Sequence, residues 1–277
     1  MNFNEICKAI KELKIQGAEN VARAGIKALK LRHDINSVNK LVRLRPTEPC
    51  LRNAVNFVIK DIKRNADLAL KHFDDAQKRI AEIGSRKIRN NDLIFTHCHS
   101  GTVNALLREA AKTRKFRVHA TETRPMYQGR RTAIEMAKAK IPITLFTDAA
   151  GRYAIKNASI VLFGADAVTS EGKIINKIGT EMYAEIAERY DIPVYFCADS
   201  WKYDPFTAFG FEEAIEKREA KEVWDRPPKG VEISNRAFEI VSPKLATGII
   251  SELGVYSPDV FVEEVKKNYP WIQGKPK

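Results

Sequence analysis

The spacing of apolar residues changes near residue 85. Before that point they recur at the period of an amphipathic helix. Phe3 to Leu13 reads as a first helix, Gly17-Ala18-Glu19 interrupts it, and Val21 to Leu31 continues with Ala22, Ile26 and Leu29 on one face. Asp34 to Leu44 predicts another short helix. Arg45-Pro46-Thr47-Glu48-Pro49 is a loop, because proline is excluded from helix interiors. Leu51 to Ile83 predicts one long helix, with Val55, Val58, Ile62, Phe73 and Ile80 on a drifting face and Gly84 as its stop.

From Ser85 onward, short continuous apolar runs alternate with helical spacing. Strands are predicted at 93–98, 116–121, 142–147, 159–164 and 193–198, with a late strand within Thr247–Leu253. Helices are predicted at 103–113, 129–140, 149–157 and 176–190. Strands that are apolar throughout are buried on both faces. The expected fold is therefore α/β: a helical N-terminal domain (1–84) and a doubly wound, Rossmann-like, mostly parallel sheet (85–277) carrying the ligand or catalytic site. Residues 203–231, with Pro205, Pro227 and Pro228, read as a charged connection.

Composition narrows the classes. A chain of 277 residues with 44% hydrophobic and 30% charged residues is long enough for a sizeable core. Its longest apolar runs are too short to span a bilayer. The first residues lack the pattern of a secretory signal, and Cys7, Cys50, Cys98 and Cys197 are irregularly spaced, so a reduced, cytoplasmic setting is expected. The net charge of +12 is spread along the chain without an aromatic-interleaved basic patch. Neither nucleic acid nor membrane is the expected partner.

The chemistry concentrates where strands end. Cys98 lies between an apolar strand and the Ser100-Gly101-Thr102 breaker that opens a helix. A thiol there would meet free N–H groups that favour thiolate and phosphate; the competing reading is a small buried hydrophobe. His97-Cys98-His99 does not read as a chelate, since strand alternation would send the histidines to one face and the cysteine to the other. His119, inside a strand, reads as core. Glu122, Asp148, Asp166 and Asp199 each follow a strand, so the carboxyl edge is the candidate site. Asp166 leaves a very apolar strand, where burial would keep a carboxyl proton available; a turn or cap role is equally open. Gly164 allows a close approach to the backbone. Asn176-Lys177, read as opening a helix, and Lys202 would suit phosphate or hydroxyl groups. No dinucleotide, phosphate-loop or serine-hydrolase signature is present.

Six separated blocks then resemble one family: Thr96-His97-Cys98-His99-Ser100, Glu122-Thr123-Arg124-Pro125-x-x-Gln128-Gly129, Thr147-Asp148-Ala149-Ala150, Gly164-Ala165-Asp166, Asn176-Lys177-Ile178-Gly179-Thr180 and Asp199-Ser200-Trp201-Lys202. The family joins the regulatory subunits of translation initiation factor 2B to methylthioribose-1-phosphate isomerase and archaeal ribose-1,5-bisphosphate isomerase. The resemblance is strongest over 90–260 and looser in the helical segment.

It implies an aldose–ketose isomerase that needs neither metal nor cofactor, most similar to the ribose-bisphosphate enzyme. Cys98 would accept a proton and Asp166 would donate one. Ser100, Gly101, Thr102, Asn176, Lys177 and Lys202 would hold the phosphorylated sugar, with Gln16, Gly17, Ala18, Glu19 and Arg45 closing over it. Two positions depart from the pattern: Gln16 stands where family enzymes tend to have arginine, and Gly101-Thr102 where the ribose-bisphosphate enzyme is expected to have Lys-Ala. The implied assembly is a homodimer or a multiple of it, with the apolar 240–257 stretch as its expected contact. The alternative is a non-catalytic regulatory subunit that binds a sugar phosphate or nucleotide and contacts translation initiation factor 2. The Cys98/Asp166 pair favours the enzyme.

Overall fold

The computed structural model describes residues 1–45, 48–211, 215 and 217–273. Pro46 and Thr47 of the predicted loop, and 212–214 and 216 of the charged connection, lie outside the described residues. The helical segment comprises α1 (Phe3–Lys11), α2 (Ala18–Leu31), α3 (Ile35–Val42), α4 (Pro49–Val58) and α5 (Ile62–Ser85). The long helix expected over 51–83 is therefore two. The break has a local cause: the Asp61 carboxylate accepts the Arg64 N–H at 3.2 Å and caps α5. Asn65 Nδ2 donates back to Phe57 O at 2.9 Å, which fixes the corner.

Gly84 does not stop α5. It lies inside the helix, and a Cβ there would meet Leu106 Cδ1 at 2.1 Å. Its role is to let α5 pack closely on the helix that carries Leu106.

The second part runs β1 (Leu93–Thr96), α6 (Gly101–Ala111), β2 (Arg117–Thr121), α7 (Gln128–Lys138), β3 (Ile143–Phe146), α8 (Gly151–Ile155), β4 (Ile160–Gly164), β5 (Ala167–Val168), β6 (Ile174–Lys177), α9 (Thr180–Arg189), β7 (Val194–Cys197), β8 (Phe238–Val241), β9 (Gly248–Ser251), β10 (Gly254–Tyr256) and α10 (Pro258–Asn268). Seven strands form one sheet in the order β10-β9-β7-β4-β1-β2-β3. All its pairings are parallel except that of β10 with β9. Chain order reverses between β1 and β4, so these strands leave a crevice at their carboxyl ends, the place where open α/β sheets bind ligands.

A second, antiparallel sheet, β5-β6-β8, rises beside that crevice. Asn176 and Lys177 belong to its strand β6. The helix expected to open with them starts at Thr180 instead, because the apolar Ile174 and Ile175 pair with Val241 and Ile240.

The apolar 240–257 stretch is largely interior. Val241, Ile249 and Ile250 are buried in the subunit, while Ile240 is 42% exposed. Its buried residues serve the core, while Leu245, Leu253 and Val255 are half-buried. One hydrophobic cluster runs from Phe3 and Ile6 through Phe73 and Phe163 to Ile272, so the helices and the sheet share a core. No helix among the described residues is long and apolar enough to cross a membrane.

Candidate active site

β1 ends at Thr96, before the expected 98, so strand alternation does not govern His97-Cys98-His99. Each histidine is tied in a different direction. His97 is buried; its Nε2 donates to Ile178 O at 2.9 Å, so Nδ1 must accept the Thr121 hydroxyl in a neutral ring. Burial pulls its pKa down to about 4 and favours that neutral form. His99 Nε2 pairs with Glu135 Oε1 at 2.7 Å, and Glu135 Oε2 accepts Asn104 Nδ2 at 2.9 Å. The two rings thus pull apart and cannot chelate one ion, which is the expected outcome for a different reason.

Cys98, between them, adopts φ +67°. A left-handed cysteine is strained by about 1–3 kcal/mol and must be held by its surroundings. Its N–H donates to Thr123 Oγ1 at 3.1 Å, and its carbonyl accepts the Thr132 hydroxyl at 2.8 Å. Thr123 is itself left-handed, and its N–H and that of Arg124 donate to Asp148 at 2.8 and 2.6 Å.

Asp148 is therefore an anchor for the turn after β2. Glu122 pairs with Arg130 at 3.3 Å. Asp199 caps the turn that carries Lys202, accepting Trp201 N–H at 2.8 Å. Of the four strand-end acids singled out in the sequence, only Asp166 lines the cavity that holds Cys98.

That cavity measures about 220 Å³ and lies at the crevice between β1 and β4. Gly164 ends β4 against Ser100: a Cβ at 164 would meet Ser100 Oγ at 2.8 Å. This contact brings the 98–102 segment beside the Gly164-Ala165-Asp166 corner. The Ser100 hydroxyl caps α6, accepting Val103 N–H at 3.3 Å, so Gly101 and Thr102 form the first helical turn instead of breaking it. The N-terminal N–H groups of α6 give the cavity an anion-attracting end.

The expected activation of Cys98 does not appear. Burial pushes its thiol above the ordinary value, Lys177 draws it down, and the neighbouring Asp166 adds to the rise. The side chain is partly exposed to the cavity. The thiol lies before the Ser100 cap and not inside the first turn of α6, so the helix N-terminus does little to offset that rise.

Every residue that the family resemblance assigned to the site lines this one cavity. The Lys202 ammonium is buried and donates to Ala165 O at 2.6 Å. Asn53 of α4 fixes the turn from below, donating to Trp201 O and Tyr203 O at 2.8 Å each. Lys177 Nζ lies 4.9 Å from the centre of the Phe238 ring. Asn176 Nδ2 donates to Thr180 Oγ1 at 3.0 Å. Gln16 donates its amide to Leu13 O at 2.7 Å, and Gly17 opens α2. Glu19 pairs with Arg23 at 2.8 Å, and Arg45 with Glu48 at 2.7 Å.

Sequence reading missed Gln77, Arg131, Arg218, Glu222 and Asn235, which also line the cavity. Arg131 follows the Gln128-Gly129 block and could have been found there. Gln77 on α5, and the Arg218–Glu222 pair with Asn235, carry no local signal. Both acidic and basic side chains line the cavity, and the cations Arg131, Lys177 and Lys202 reach it from separate elements. It can take a small polyanion and hold it beside one thiol and one carboxyl group.

Comparison with known proteins agrees with this architecture. Ribose 1,5-bisphosphate isomerase of Pyrococcus furiosus is 34% identical, with 96% of this chain and 94% of the relative aligned. The protein of that name from Methanocaldococcus jannaschii is 33% identical over 98% and 96%. The crystal structure of the Pyrococcus horikoshii translation initiation factor eIF-2B superposes with a TM-score of 0.85 at 28% identity, covering 94% of this chain and 98% of that one. Residues 8–258 match the Initiation factor 2 subunit family, and to that family the chain belongs.

Proposed function

We propose that this protein is an aldose–ketose isomerase acting on ribose 1,5-bisphosphate. The observation that carries the reading is the meeting of Cys98 and Asp166 on one cation-lined cavity at the β1/β4 crevice. The isomerase relatives support the substrate class.

In this reading residues 1–84 form the unit that closes the cavity through Gln16–Glu19 and Arg45, and residues 85–277 carry the chemistry. One phosphate sits over Ser100-Gly101-Thr102 and the other between Arg45 and Lys202. Asp166 gives its proton to the ring oxygen and the sugar opens. The Cys98 thiolate takes the proton from C2 and returns it to C1, and the C2 hydroxyl hands its proton back to the Asp166 carboxylate as it becomes the ketone. Two-point anchoring holds the reacting carbons near both groups. Gln16 adds no charge where family enzymes tend to have arginine, so Arg45, Arg131 and Lys202 carry more of the phosphate binding.

The protein is further proposed to act as a homodimer or a multiple of it. Leu145, Tyr153, Met182 and Ile240 are exposed on the neighbouring elements β3, α8, α9 and β8, which supports an apolar contact there that takes in the exposed start of the 240–257 stretch.

A second reading, a regulatory binder that contacts translation initiation factor 2, is favoured by the close superposition on the initiation-factor structure. NMR of ribose 1,5-bisphosphate incubated with the protein separates the two, with calorimetry run in parallel. Isomerisation gives ketose signals. Binding without conversion, extended to a panel of phosphorylated aldoses, defeats the enzyme reading.

A further inference from the structure

Below the turn that carries Lys202, and outside the cavity lining, three ionisable side chains converge from three elements. His72 comes from α5, Asp199 follows β7, and Glu252 lies between β9 and β10. One donor atom of each lies within 4.8 Å of the other two. His72 Nε2 and Asp199 Oδ2 face each other at 3.0 Å. They lack the alignment of a hydrogen bond, and both atoms are buried without a hydrogen-bond partner.

Asp199 is only 5% exposed. Its other oxygen is already committed to Trp201 N–H. Glu252 is held in place by Tyr269 Oη and by Ser200 N–H, each at 3.2 Å. The His72 ring cannot swing away: it stacks on Trp201 at 4.2 Å between centroids, with Phe73 and Tyr269 edge-on to it.

We propose that His72, Asp199 and Glu252 form a binding site for a divalent cation of the zinc or manganese kind. Two unsatisfied donor atoms 3.0 Å apart are placed as two ligands of one ion would be. At metal–ligand distances of about 2.1 Å, that separation corresponds to an angle of about 90° at the metal. One imidazole nitrogen, two carboxylate oxygens and no sulfur suit zinc or manganese and disfavour copper(I).

Charge balance points the same way. Two carboxylates packed beside one imidazole, largely away from water, carry a mutual repulsion that is costly there. A dication cancels it, and water completes the coordination. Bound there, the ion joins α5 to the carboxyl ends of β7 and β9. It also steadies the turn whose Lys202 reaches the cavity floor.

The test uses the full chain without an affinity tag, stripped with a chelator and dialysed. Zinc and, separately, manganese chloride are titrated by calorimetry, and melting is followed with and without each metal. The proposal expects one equivalent bound at micromolar or tighter affinity for at least one of them. At a hundredfold excess over Kd, melting should rise by about 5 °C or more. Glu252→Gln and His72→Gln should each weaken that affinity by about tenfold or more. Stripped wild-type protein that neither binds nor is stabilised by either metal overturns the proposal, even if a variant fails to fold. So do folded variants that bind as tightly as wild type. Neither readout depends on turnover, so the isomerase reading can fail without affecting this one.

Discussion

The carboxyl edge of the sheet ends in two different ways. Between β1 and β4 it opens into a cavity, where Cys98 and Asp166 sit among cations. At β7 and β9 the same edge is covered by α5, and Asp199 and Glu252 are shut in with His72, Trp201 and Tyr269. Both places have an acid directly after a buried strand. What separates them is the cover: a helix packed over the strand ends makes an internal cluster, while a loop folded beside them leaves room for a ligand. A strand-end acid therefore reaches the open cavity only where nothing packs over it.

The strongest break of this comparison is functional. Cys98→Ser and Asp166→Asn should each lower turnover by about a hundredfold or more, the scale of a lost general acid or base. Both should melt within the small range of near-isosteric changes, about 0.5 kcal/mol. Steady-state kinetics and thermal melts on the same preparations check this, and near-normal turnover in either variant removes that residue from the chemistry.

Cys98 also sharpens the contrast through pH. Its thiol lies above the ordinary value, and the base form is the thiolate. Alkylation of Cys98 by iodoacetamide should therefore keep accelerating up to and past the ordinary thiol value of 9.0, by up to tenfold per unit below it. An alkylation rate already level at neutral pH contradicts the raised value.

The covered end should respond in stability. Removing one partner of a buried ionic group leaves the others uncompensated, so His72→Ala or Asp199→Ala should cost about 3 kcal/mol. In a chain of this length that lowers melting by roughly 6–12 °C. Turnover of the protein that remains folded should fall far less than in the cavity variants. An unchanged melt shows that the cluster contributes nothing to the fold.

The smallest expected effect concerns His97. It stays neutral in the fold down to about pH 4, whereas in the unfolded chain it protonates near 6.5. The unfolded state thus binds more protons in this window, and stability falls as pH drops from 6.5 toward 4. Glu252, pushed up to about 7 by burial and then by Asp199, works in the opposite sense. Its contribution is present at low pH and is lost as pH rises through 7. The informative quantity is therefore a difference: His97→Gln, which keeps a donor and an acceptor, should remove an acid-side loss of at most about 3 kcal/mol. Urea unfolding of both proteins across the window measures it, and parallel profiles refute the assignment.

Much of this was legible before any coordinates. Continuous apolar runs located the five predicted strands, and their order implied a parallel sheet with a crevice. Cys98 and Asp166 could be read because strand ends are marked by abrupt changes of pattern. The small β5-β6-β8 sheet was not legible: Ile174 and Ile175 look alike in a helix or a strand, and only pairing with Val241 and Ile240 decides. The α4/α5 break was masked by apolar positions on both sides, although Asp61 before Ile62 is a cap signal. Activation of Cys98 was misread because helix N-terminal character fades within a turn, while burial acts wherever the thiol sits. The His72 cluster was invisible because its members are 127 and 53 positions apart, the separations of residues 72, 199 and 252.

One measurement reaches the central claim, that substrate chemistry occurs at Cys98. Of the four cysteines, Cys7, Cys50 and Cys197 are buried and Cys98 is partly exposed. Iodoacetamide labelling followed by peptide mass spectrometry should therefore mark Cys98 first, faster as pH rises. Ribose 1,5-bisphosphate should protect it, and turnover should disappear in proportion to the label. Full alkylation of Cys98 with turnover intact, or labelling that saturating substrate does not slow, would contradict the account.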